Sequence, residues 1–177
     1  QRKQMTTTDG KGVFPIEIDG TFDDCQNIVK DLFKDKNFNN EVKLGAINSI
    51  NWGRIAAQIV YYFTSFKLLN NGPVSYSVPT GNFGDILAGW VAKKMGLPIK
   101  NLMIATNEND ILSRALKTGT YSIDKAKATI SPSMDIQISS NFERLLFEAY
   151  NRNASNIKEL MDTLKESKEF KIEKNAL

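Results

Sequence analysis

The sequence predicts an α/β fold: a three-layer, Rossmann-like open parallel sheet with helices on both faces. Three observations carry this. Short β-type runs alternate with longer apolar patterns at three- and four-residue spacing along the 177 residues. The run Val74-Ser-Tyr-Ser-Val78 passes through a turn with Pro79, Gly81 and Gly84 straight into a helical pattern of Phe83, Ile86, Leu87, Trp90, Val91 and Met95. Strands joined through helices in this way pair in parallel, with right-handed crossovers as the default.

Residues 1–12 are polar and end in the turn signal Asp9-Gly10-Lys11-Gly12. Val13-Phe-Pro-Ile-Glu-Ile18 reads as a strand, with Pro15 placing it at a start or an edge. Thr21 is a candidate N-cap for a helix with Asp23 and Asp24 in its first turn and Ile28, Val29, Leu32 and Phe33 as a buried stripe. Cys25, on or beside that stripe, is expected to be a small core residue, since no histidine exists to activate it. Val42-Lys-Leu-Gly-Ala-Ile47 reads as a second strand. Asn48 and Asn51 bracket the start of a long helix from about Trp52 to Leu69, whose broad apolar face includes Ile55, Ile59, Tyr62 and Phe66. Asn70-Asn-Gly-Pro73 ends it.

The central strand and helix follow, stopped by Gly96 and Pro98 with Lys93 and Lys94 in the last turn. Leu102-Met-Ile-Ala105 is a third buried strand, and a helix opening at Ile111 is closed by Gly119. Residues 120–133 read as irregular. Met134-Asp-Ile-Gln-Ile138 precedes a helix from about Asn141 to Asn151, and a charged amphipathic helix begins at Ala154 with Ile157, Leu160, Met161 and Leu164 on its apolar side.

Composition excludes several classes. The net charge of +3 is small and scattered, which argues against a nucleic-acid partner. No apolar run reaches membrane-span length. One cysteine rules out an internal disulfide framework and suits a reducing compartment, so a cytoplasmic location is expected. With no histidine, a His-based triad or His-ligated zinc site is impossible, and no metal site is expected.

The chemistry concentrates at Gly81-Asn82-Phe83-Gly84-Asp85. A strand feeding a glycine turn that opens a helix presents several backbone N–H groups together, at the positive end of the helix dipole. The loop has neither GxxxxGK[ST] nor GxGxxG, and no Lys or Arg lies between Lys67 and Lys93. A phosphate held by amides alone fits an anchored cofactor better than a reacting nucleotide. Spacing alone is equally compatible with a plain βα turn, and Asn48 and Asn51 read first as helix caps, a role compatible with hydrogen bonding a ligand at the same helix terminus.

The wording of five stretches is more specific. Pro79-Thr-Gly-Asn-Phe-Gly-Asp-Ile-Leu-Ala-Gly89 with Lys93-Lys-Met-Gly-Leu-Pro-Ile99 resembles the threonine synthase family, pyridoxal-phosphate enzymes of the tryptophan-synthase-β fold type. Gln1–Thr7, Ala46–Arg54, Ala105–Leu112 and Ser131–Leu145 match that family in type and order. The resemblance runs from Gln1 to about Tyr150. It implies that residues 1–150 are the second part of a cofactor domain and 151–177 a charged helical extension. It implies pyridoxal 5'-phosphate on Gly81, Asn82, Phe83, Gly84 and Asp85, and a substrate cleft near Asn48, Ser49 and Asn51. The implied reaction turns O-phosphohomoserine and water into threonine and phosphate.

In that pattern the Schiff-base lysine precedes Gln1 and the segment meeting the pyridine nitrogen follows Leu177. No catalytic residue is therefore assigned within the chain, which is expected to be inactive alone and to need the rest of the same enzyme chain. The competing expectation is a stand-alone Rossmann-like module binding a phosphate ligand or a protein partner. Asp85 is expected to turn away from a bound phosphate and accept backbone N–H bonds. Exposed apolar surface, chiefly from the Trp52–Phe66 helix and residues 134–138, is expected to favour self-association.

Overall fold

The computed structural model describes residues 3, 6–7, 10–20, 22–69 and 72–176. Two compact units divide at Leu44 and Gly45. The amino-terminal unit contains helix α1 (Phe22–Lys34) and helix α2 (Lys36–Val42). Asp35 caps α2, its carboxylate accepting from the N–H groups of Asn37 and Phe38. Residues 13–18 form no strand, and Val42 ends α2 instead of opening a strand. Both runs have β-type composition, but a strand exists only where a neighbour accepts its hydrogen bonds, and among the described residues none pairs with them. Ile28, Val29 and Leu32 of the α1 stripe are exposed while Phe33 is half-buried, and Cys25 is half-buried rather than in a core. Thr21 and most of residues 1–9 lie outside the described residues, as do Asn70 and Asn71.

The second unit is built on helix α3 (Trp52–Leu69), strand β1 (Val74–Pro79), helix α4 (Gly84–Lys94) and strand β2 (Ile99–Ala105). β1 and β2 pair in parallel, with Tyr76 opposite Leu102 and Val78 opposite Ile104, so the fold is α/β as the alternation predicts. Helices α3 and α4 pack closely because Gly89 has no side chain: a Cβ there would stand 2.6 Å from the Tyr62 ring. Helix α5 (Ile111–Thr118) ends at Gly119 and leads into strand β3 (Thr120–Ser122). A 3-10 turn at Pro132–Met134 precedes helix α6 (Phe142–Ala149) and helix α7 (Ala154–Ser167). Strand β4 (Glu169–Lys171) then pairs antiparallel with β3, a small sheet that sequence patterning missed.

The core of this unit runs from α3 and α4 through β1 and β2 to α5–α7. Ile55, Leu87, Ala88, Ile111, Leu112 and Phe142 are among its most enclosed apolar members. Ile136 is buried as well, so of the stretch 134–138 it is Ile138 that is exposed, alongside Trp52, Val60 and Tyr61 of α3. Among the described residues no helix is long and apolar enough to cross a membrane, and no group of acidic, cysteine or histidine side chains could hold a metal ion.

Candidate functional site

The loop between β1 and α4 lies at the carboxyl end of a parallel strand, where open α/β sheets bind ligands. Thr80 keeps the loop in register with the sheet: its N–H donates to the Ala105 carbonyl (2.8 Å) and its hydroxyl to the Val78 carbonyl (2.6 Å). Beyond it, among the described residues, no hydrogen bond uses the N–H groups of Gly81, Asn82, Phe83 or Gly84. Gly84 carries an orphan donor of the start of α4, Gly81 and Asn82 are loop donors just before the N-cap Phe83, and the Phe83 side chain makes no cap.

The strained residue is not a glycine. Phe83 sits at φ 62°, ψ 11°, a left-handed conformation uncommon for a bulky side chain. Its ring is buried and meets Phe142 edge-on at 5.4 Å, which compensates for the backbone cost. Gly81 serves close approach: a Cβ there would lie 3.3 Å from the Ser133 carbonyl oxygen and 3.4 Å from Met134 Cα.

The second predicted group is brought alongside. Asn51 Oδ1 accepts from the Gly53 N–H (2.8 Å) and so caps α3, whereas Asn48 Oδ1 accepts from the Ile50 N–H (3.0 Å) and holds the turn that precedes the helix. Ser49 faces the loop through its carbonyl, which together with Asn141 Nδ2 lies within 3.6 Å of where a Gly84 Cβ would stand. Nothing in the sequence marks Asn141 as a site residue; there it reads as a helix start. Fully buried, its amide donates to both the Ser49 and the Asn82 carbonyls, at 2.8 Å each, and its Oδ1 accepts from Arg144 (2.6 Å).

Asp85 takes a different partner from the one expected. Its backbone carbonyl accepts the Tyr62 hydroxyl (2.9 Å), and the same hydroxyl lies against its carboxyl. Burial raises the Asp85 carboxyl above the usual aspartate value, only partly offset by that hydroxyl. Burial and the nearby Asp85 charge in turn push the Tyr62 hydroxyl well above its own.

A second polar cluster fixes the far wall. Asp135 accepts from the Thr129 N–H and hydroxyl and from Asn107, at 2.7 Å each, and from Asn109 at 3.1 Å. Burial alone would raise this carboxyl, but those donors outweigh it and hold it below the usual range. They staple residues 129–135 across the end of β2, which brings Ser133 and Met134 against Gly81.

The arrangement fits a phosphate monoester: four successive backbone donors are unpartnered among the described residues, the loop sequence carries no lysine for phosphoryl transfer, and a wall closes one side. Asn82 Oδ1 is a buried side-chain oxygen with no partner among the described residues. It requires a donor from a bound group, or a turned amide that offers its NH2 instead.

No family model matches the chain. Curated relatives do. A threonine synthase of Saccharomyces cerevisiae is 52% identical over 191 aligned positions, covering 100% of this chain and 37% of the relative. One of Pseudomonas aeruginosa is 51% identical, covering 98% and 37%. Among solved structures, the pyridoxal-phosphate-bound threonine synthase of Brucella melitensis superposes with a TM-score of 0.88 at 55% identity, over 98% of this chain and 38% of that one. The yeast threonine synthase gives 0.83 at 50% identity, over 98% and 36%. The chain spans little more than a third of the length of the relatives it matches. Over essentially its whole length, this chain is homologous to threonine synthase.

Proposed function

We propose that this chain is the phosphate-holding portion of a threonine synthase, a pyridoxal-phosphate-dependent lyase that converts O-phosphohomoserine and water to threonine and phosphate. The observation that carries the reading is the set of unpartnered N–H groups at Gly81, Asn82, Phe83 and Gly84, at the positive end of α4. The likeness to a pyridoxal-phosphate-bound relative supports the choice of ligand. On this reading, residues 1–150 contribute the second part of the cofactor domain and 151–177 a helical extension of it.

When bound, pyridoxal phosphate supplies an electron sink for the reacting carbon. This chain's own residues do the positioning. The N–H groups of 81–84 bind the phosphate and fix the register of the ring, at roughly 1.5–3 kcal/mol for each charge-assisted bond. The Asp85 backbone carbonyl, held by the Tyr62 hydroxyl, fixes the first turn of α4 behind the loop. Asn51 caps the start of α3 and Asn48 holds the turn before it, so that Ser49 borders the substrate cleft. The cofactor-bearing lysine lies outside these 177 residues, in the remainder of the same enzyme chain.

Amide spectra of the chain titrated with pyridoxal phosphate and with pyridoxal test this. Pyridoxal phosphate is expected to shift the 81–84 resonances, and pyridoxal to leave them unmoved. Equal responses, or none, overturn the assignment. The 177 residues alone are expected to release no phosphate from O-phosphohomoserine above background, and measurable turnover would place the catalytic lysine within the chain.

A further inference from the structure

We infer that Ser139 and Asn141 are positioning residues that set the orientation of the 81–83 peptides and thereby the anion affinity of the loop. The inference rests on the anion-site reading above and adds to it what aims the donors.

In a trans peptide the carbonyl and the following N–H point in opposite directions. The Gly81 carbonyl accepts the Ser139 hydroxyl at 2.8 Å. The Asn82 carbonyl accepts twice from Asn141, from its backbone N–H at 3.1 Å and its side-chain amide at 2.8 Å. Both carbonyls are thus drawn toward the 139–141 segment, and the N–H groups of Asn82 and Phe83 are turned away from it. A flip of either peptide would aim an oxygen at the anion and leave buried donors of Ser139 or Asn141 unpaired.

The grip is itself anchored. The Ser139 N–H donates to the Tyr121 hydroxyl at 2.8 Å. The Tyr121 ring is stacked between Phe142 at 5.5 Å and Phe170 at 5.0 Å, and Phe142 meets Phe83. Ser139 and Asn141 are both buried, at 4% and 0% exposure, so their hydrogen bonds do not exchange freely with water. Two carbonyls held from one side, with a left-handed Phe83 between them and α4, leave the loop little freedom to turn its donors elsewhere.

The test uses sulfate as probe, read residue by residue from the amide resonances of the 177-residue chain. Ser139→Ala removes one grip and is expected to weaken sulfate binding at Asn82 and Phe83 roughly tenfold. Ser139→Thr keeps the hydroxyl and is expected to restore binding. Resonances of α7 should be unchanged in both, which separates aiming from unfolding. If the wild-type loop binds sulfate and Ser139→Ala binds it equally well, the inference is overturned while the anion site stands. If the wild-type loop amides do not respond, the anion reading fails and the inference with it. Should Ser139→Ala not fold, Asn141→Asp carries the same decision: it sets a carboxylate against two carbonyl oxygens, and unchanged sulfate affinity overturns the inference.

Discussion

Helices α1 and α4 invert the usual link between pattern and burial. α1 has the sharper amphipathic pattern of the two. Yet Ile28, Val29 and Leu32 on its apolar stripe stay 45%, 40% and 41% exposed. α4 is apolar nearly all round, and Ile86, Leu87, Ala88, Gly89 and Ala92 are buried. Periodicity states which face of a helix wants cover; it does not state that cover is present. α1 therefore rests on local terms such as the exposed Lys34–Asp31 pair, whereas α4 is held by enclosure between α3 and the sheet.

The contrast can be broken hardest at Gly89. Gly89→Val drives new atoms into the Tyr62 ring, and we expect a loss of at least about 1–3 kcal/mol by thermal or denaturant unfolding. Tyr62→Phe keeps the ring and removes only the bond to the Asp85 carbonyl, with an expected cost near 1 kcal/mol by the same measurement. Asp85→Asn should act in the opposite direction at neutral pH. Because burial raises the folded-state value above 3.8, the folded chain holds this proton more tightly than the unfolded chain. The resulting stability is fully present below 3.8 and is lost as pH rises through the raised folded value. The variant lacks that slope, so its advantage in denaturation midpoint should be absent in acid and constant above the folded value; an equal slope in both proteins would refute the assignment. Leu32→Ala in α1 should change stability least, by about 0.5 kcal/mol, since its side chain is 41% exposed and fills no closed core.

Where apolar spacing and turn residues agree, the elements were legible. α3 was expected from Trp52 to Leu69 and occupies that span, and the strand–loop–helix from Val74 to Lys94 differs from expectation by a residue or so. α2 was not legible, because Asn37, Asn39 and Asn40 break any stripe and its start depends on the Asp35 cap. β3 and β4 are three residues each, too short to show alternation, and exist through pairing across the chain. The loop's location was readable from its glycines. That its left-handed residue is Phe83, and that Asn141 rather than Asn48 ties the two predicted groups together, was not. Asparagine before a helix reads as a cap, and which distant carbonyls its amide reaches is decided by topology.

The reach of Asn141 also bears on the order in which the molecule acquires its parts. Its amide closes contacts across 92 residues to Ser49 and 59 to Asn82, and the Ser139 hydroxyl closes one across 58 to Gly81. Contacts this distant along a chain pay most of their loop-closure entropy before they return any stability, and they form late. α3 and α4 can exist as helices before their junction has the shape an anion requires. Competence to hold a phosphate is then among the last properties gained on refolding and the first lost on partial opening. In a refolding time course, recovery of sulfate binding should follow the slowest phase rather than the return of helical signal.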